Sequence, residues 1–147
     1  MIFTIRPMRE TDLANTLKWR NDPEVRKTSI TDNIISAGEH NAMFLYNNSI
    51  KLIFEVEEIP SGYIQISIDP DTKKGEWAFH IASEYKGKGL STIMLSLALY
   101  YLKEKYGYDG IEAKVKVDNK ISIHLHYKLG FKCQYERDKL YHFTKNL

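Results

Sequence analysis

Leu90, Ile93, Met94, Leu97, Tyr101 and Leu102 recur every three or four residues, which predicts one long helix running from Gly89 to near Gly107. Directly before it stands the turn Lys86-Gly87-Lys88-Gly89-Leu90-Ser91, and before that Glu76-Trp77-Ala78-Phe79-His80-Ile81, crowded enough in apolar residues for a central strand. A buried strand thus feeds a glycine turn that opens a long one-sided helix. The turn also suits an anion. Glycines let the backbone approach closely, and a helix start presents unpaired N–H groups and a partial positive charge. Taken alone, a Gly-x-Gly at a helix start is more often a plain structural turn.

The remaining pattern supplies the sheet. Residues 2–6 read as a short strand ending at Pro7, and residues 10–19 as a helix carrying Leu13, Leu17 and Trp19, with Thr11 and Asp12 as candidate caps. Residues 21–33, with Pro23 inside, read as a loop or a broken short helix. Ser36 and Glu39 have the spacing of a capping box for a second helix over residues 36–46. Residues 51–57 and 62–69 read as a hairpin turning at Ile59-Pro60-Ser61-Gly62, and residues 69–75 as a second turn before the central strand. A strand over 111–117, a helix over 119–129 and closing strands over 131–136 and 140–144 complete the chain.

With 147 residues the chain has the size of one domain, and neither a linker nor a repeat divides it. Twenty-one Lys and Arg against nineteen Asp and Glu leave a net charge of +2, too little for general nucleic-acid binding, so any anion site is local. The single cysteine, Cys133, supplies neither a disulfide nor a metal cluster, which fits a reducing cytoplasm and no metal. No apolar run reaches the roughly 18 residues of a membrane span, and the N-terminus lacks the pattern of a secretion signal. His124 and His126, two apart on the last helix, face different ways and are read as surface or packing residues.

A second motif changes the weight of the first. After the strand over 111–117 come Asn119, Ser122, Tyr127 and Gly130-Phe131. Together with Lys86-Gly87-Lys88-Gly89-Leu90-Ser91 they resemble the GNAT superfamily of acetyl-CoA-dependent N-acetyltransferases, whose signature is Arg/Gln-x-x-Gly-x-Gly/Ala at a helix start followed by Asn…Tyr…Gly-Phe. Lys86 departs from the usual Arg or Gln, keeping the charge but not the fork geometry, and Ser91 from the usual Gly or Ala. The resemblance implies a mixed, mostly antiparallel sheet of six to seven strands with about four flanking helices.

It also implies acetyl-CoA as co-substrate. The backbone of Phe79, His80 and Ile81 would pair with its arm, splayed from the strand over 111–117, and an N–H there would polarise the thioester carbonyl. The amides of residues 86–91 would hold the pyrophosphate, with Asn119 and Ser122 beside the arm. Tyr127 aligns with the tyrosine that protonates the departing thiolate. For the general base, Glu76 and His80 lie four apart on one strand and share a face.

The segment Trp19-Arg20-Asn21-Asp22-Pro23, together with Ser36, Glu39 and His40, resembles the nucleotide-sugar N-acetyltransferases of pseudaminic-acid biosynthesis. That implies a small-molecule amine acceptor, the 4-amino group of a UDP-linked sugar, with Arg20 and His40 on its phosphates and Trp19 stacking on it or stapling the helix. The alternatives are a ribosomal-protein-type N-terminal acetyltransferase and a non-catalytic acetyl-CoA sensor. The sequence allows a homodimer.

Overall fold

The computed structural model describes residues 1–31, 33–46 and 48–147, the side chain of Tyr46 excepted. Seven strands form one sheet: β1 (Phe3–Pro7), β2 (Ile50–Val56), β3 (Ile59–Asp69), β4 (Lys74–Ile81), β5 (Gly110–Lys116), β6 (Lys132–Arg137) and β7 (Leu140–Asn146). Their spatial order is β1-β2-β3-β4-β5-β7-β6, and only β4 and β5 run parallel. Among the described residues five α-helices flank it: α1 (Leu13–Asn21), α2 (Pro23–Thr28), α3 (Ala37–Tyr46), α4 (Leu90–Tyr106) and α5 (Lys120–Lys128). The fold is the α/β arrangement implied by the resemblance. One helix more than expected comes from α2, where Asp22 caps the first turn by accepting from the Glu24 N–H and Pro23 occupies the position whose N–H needs no partner. The reading of residues 21–33 also spans Asp32, which lies outside the described residues.

Most of the core lies between one face of the sheet and α4. Leu90, Met94, Leu95, Ala98 and Leu102 pack on Leu52, Phe54, Ile64, Ile66, Trp77, Ile81 and Ile111. Gly107, at φ +63°, ends α4 in the left-handed conformation expected of a helix-stopping glycine. On the other face a smaller cluster of Trp19, Ile53, Tyr63 and Ala82 holds α1 to the sheet. Asp12 does not cap α1 with its side chain. It is buried, receives two hydrogen bonds from the Arg6 guanidinium at 2.8 and 2.9 Å, and anchors the helix start to β1. Ser36 caps α3 as read, its hydroxyl accepting from the Glu39 N–H at 3.2 Å, whereas the Glu39 carboxylate accepts from that hydroxyl at 3.1 Å rather than from the Ser36 N–H of a full capping box.

One turn is displaced from its expected place. The β2–β3 hairpin closes at Glu57 and Glu58, both with positive φ, because a two-residue left-handed loop matches the twist of the paired strands. Pro60 lies inside β3 where the register shifts beside Glu55, so its missing N–H is accommodated. Gly62 is a packing glycine rather than a turn residue: a Cβ there would come within 2.6 Å of Met94 Sδ.

Candidate active site

The parallel pairing of β4 with β5 covers only Lys74, Glu76 and their neighbours, from Lys74 opposite Gly110 to Glu76 opposite Glu112. From Trp77 onward the strands part. The flank of β4 facing β5 over residues 77–81 therefore carries backbone groups outside any ladder, although β4 stays paired with β3 as far as Ile81. A cavity of 790 Å³ opens through this gap and reaches both faces of the sheet. Trp77, Phe79, Leu125 and His126 line it on the α4–α5 side, and Tyr63, Gln65, Glu76 and His80 on the α1–α3 side.

At one end lies the glycine turn. Gly87 and Gly89 have φ of +74° and +73°, and a Cβ at either would meet nothing within 4 Å, so the strained backbone, rather than crowding, requires glycine. Gly89 stands at the N-cap of α4 and makes no side-chain cap, which leaves the first amides of a 17-residue helix directed at the turn. Lys86, Gly87 and Ser91 line the cavity. Lys88 instead lies over the Tyr85 ring at 5.9 Å, and Leu90 is buried in the core. Asn119 caps α5, its Oδ1 accepting from the Ser122 N–H at 3.2 Å, and both residues line the cavity. These groups fit an acylated coenzyme with a diphosphate: an uncapped helix start for the anion, and an unladdered strand edge for an amide-bearing arm.

At the other end lie Arg20, His40 and His80. Arg20 does not form the surface ion pair with Asp22 or Glu24 that its neighbours in sequence invite. Its Nη2 donates to the Thr31 carbonyl at 2.9 Å, whereas Nη1 is buried with no partner among the described residues. His40 meets the Thr16 hydroxyl through Nε2 at 2.7 Å, and burial, then the charge of Arg20, lowers its pKa. His80 Nε2 is likewise buried and unpartnered among the described residues. Burial first, then the charges of Arg20, His40 and Lys86, pushes its pKa down to about 3, so the imidazole is neutral at physiological pH. Glu76 shares the cavity face of β4 with His80, but is held by Lys114 at 3.2 Å across the gap between β4 and β5.

Two further expected site residues, like Lys88 and Leu90, do not line the cavity. Trp19 does not line the cavity; it is 8% exposed, in the small core cluster, with its ring edge toward His80. It staples α1 to the sheet. Tyr127 is 55% exposed and packs against Phe143 from outside the cavity. Its neighbour His126, 1% exposed, lines the cavity instead, together with Ser122 and Leu125 of α5; sequence reasoning set it aside as a surface or packing residue. A signal for it existed: at 3.6 residues per turn, Asn119, Ser122 and His126 share one helix face, and Tyr127 stands about 100° away. Its neighbour His124 is exposed, so the pair does point two ways.

A gapped α/β sheet, with an uncapped helix start at one end of the gap and basic side chains at the other, defines the class of acyl-coenzyme-dependent transferases. The acetyltransferase (GNAT) domain model matches residues 3–132, and the chain belongs to that family. A domain from Methanocaldococcus jannaschii superposes with a TM-score of 0.85 at 25% identity, covering 99% of both chains. Spermidine N-acetyltransferase from Vibrio cholerae, solved with CoA and spermine, gives 0.86 at 19% identity over 98% of this chain and 95% of that one. Mycothiol acetyltransferase of Tsukamurella paurometabola is 36% identical over 74 residues, 50% of this chain, which spans 25% of the length of that relative. Among the described residues no helix is long and apolar enough to cross a membrane.

Proposed function

We propose that this chain transfers the acetyl group of acetyl-CoA to a primary amine by direct attack in a ternary complex. The observation that carries the reading is the through-sheet cavity joining the uncapped α4 start to Arg20, His40 and His80. When bound, the coenzyme supplies a thioester whose C–S bond breaks as the C–N bond forms, the sulfur leaving as thiolate. The amides of residues 86–91 hold the diphosphate, the free flank of β4 at Phe79, His80 and Ile81 orients the arm, and Asn119 and Ser122 border it. His80 takes the proton of the attacking nitrogen. Burial keeps its imidazole neutral, so it can accept that proton once the new C–N bond has made the nitrogen acidic. Glu76 would need to leave Lys114 to serve as base, so His80 is preferred.

For the acceptor, the reading is a UDP-linked amino sugar. Its support is the buried Nη1 of Arg20, which has no partner among the described residues, since a guanidinium N–H out of water needs an acceptor, and a sugar diphosphate provides one. A polyamine like that in the Vibrio cholerae structure would set like charges together here. The test is calorimetry with acetyl-CoA, UDP-amino sugars, short peptides and spermine, on the parent and on Arg20→Met. The expected result is sugar binding that weakens roughly tenfold or more in the variant while coenzyme binding holds, the loss of one charged hydrogen-bond partner. Turnover of peptide N-termini in preference to the sugar would replace the acceptor reading; coenzyme binding without turnover on any amine would make the chain a sensor.

A further inference from the structure

Two neighbouring strands that pair over three residues gain a hydrogen bond for each further residue they pair, so β4 and β5 part at Glu76 only if something holds them apart. His126 sits at that point. Its ring centre lies 6.0 Å from Trp77 and 5.9 Å from Phe79, the first unpaired aromatics of β4, and 5.4 Å from Phe143 of β7, which is paired with Ala113 of β5. Phe131, at 5.0 Å, closes the cage from behind. His126 thus ties α5 to the first residues of β4 beyond the ladder, at the point where β4 and β5 part.

The ring is fixed as well as packed. His126 Nδ1 is 2.7 Å from the Ser122 carbonyl, which can only accept, so that nitrogen carries the proton. Nε2 then has a lone pair, and the indole N–H of Trp77 donates to it at 3.1 Å. Both nitrogens are committed, and His126 has no N–H left for a leaving group. An apolar side chain would fill this cage more cheaply than a buried imidazole, unless the orientation of Trp77 matters.

We propose that His126 is the positioning residue that keeps β4 and β5 apart, holding Trp77 by that hydrogen bond so that the coenzyme groove stays open. The inference rests on the coenzyme reading for its purpose, but not for its geometry.

The test compares His126→Phe, which keeps a ring without an acceptor, His126→Gln, which can accept from Trp77 and donate to Ser122, and Trp77→Phe, which removes the donor. Two quantities are read on each: hydrogen exchange at the backbone amides of residues 77–81 and 113–116, and the Kd for coenzyme A by calorimetry. In H126F and W77F the amides facing the gap are expected to slow as the strands close, and the Kd to rise roughly tenfold, with the double variant no worse than either single one. H126Q is expected to stay within about threefold of the parent. Unchanged exchange in both H126F and W77F overturns the proposal whatever the coenzyme does, and so does an H126Q as impaired as H126F. Should H126F not fold, W77F alone decides. A parent that binds no coenzyme A defeats the coenzyme reading and leaves exchange to judge the brace.

Discussion

The Ser83 hydroxyl donates a 2.5 Å hydrogen bond to the Asp22 carboxylate, joining the segment that leads into the glycine turn to the start of α2 on the acceptor side. The other oxygen of the same carboxylate accepts from the Glu24 N–H at 2.8 Å. One side chain thus serves as helix cap and as crosslink between the two halves of the site. Asp22→Ala is expected to cost roughly 1 kcal/mol in urea denaturation, the usual worth of an N-cap, and Asp22→Asn clearly less because the cap acceptor remains. Equal losses in the two would mean that the charge, not the cap, is what matters.

Tyr127 offers a sharp contrast between motif and geometry. Its ring lies on the Phe143 side of α5 and outside the cavity, so Tyr127→Phe is expected to leave kcat within about twofold of the parent, with an unchanged pH profile. A selective fall in kcat at constant coenzyme affinity would restore the phenol as proton donor.

Acid should destabilise the fold earlier than carboxylates alone require. His40, His80 and His126 all have pKa values lowered mainly by burial, His80 to about 3, against about 6.5 for an unfolded chain. A depressed histidine binds fewer protons folded than unfolded between those limits, so its contribution is complete above about pH 6.5 and is lost as pH falls toward the folded value. Asp12 adds to the loss at lower pH: burial pushes its carboxyl up, but the Arg6 and Arg9 hydrogen bonds outweigh it and hold the pKa below normal. Tm is expected to fall steadily from pH 7 to pH 5 in differential scanning calorimetry; a flat or rising Tm over that interval would contradict the burial of these rings.

Gly89 and Gly107 bracket α4 with the same left-handed backbone but different surroundings. Alanine at either position is expected to cost roughly 1 kcal/mol of stability, since both have open space and only the φ angle objects. Only Gly89→Ala is expected to weaken coenzyme A binding by calorimetry, because it alters the amides at the helix start. Parallel effects of the two variants on binding would separate the turn from the coenzyme.

Much of the architecture was open to reading because it is local. The 3.6-residue period that ends at Gly107, the alternation in the strands, the Ser36 cap of α3 and the glycine turn each depend on a few neighbouring residues, and each formed as read. The hairpin turn failed because Pro60 and Gly62 look like turn residues, yet Gly62 answers to Met94 on a distant helix.

From residue order alone came a long helix opening on a glycine turn and, through kinship with the GNAT family, an α/β sheet. Tertiary structure decided the rest: that β4 and β5 part after Glu76, that Trp19 is mortar and His126 a cavity wall, and that Arg20 and His80 keep buried nitrogens with no partner among the described residues. Secondary structure follows from periodicity a few residues long, whereas the direction of a side chain and the partners it meets are set by packing between segments far apart in the chain.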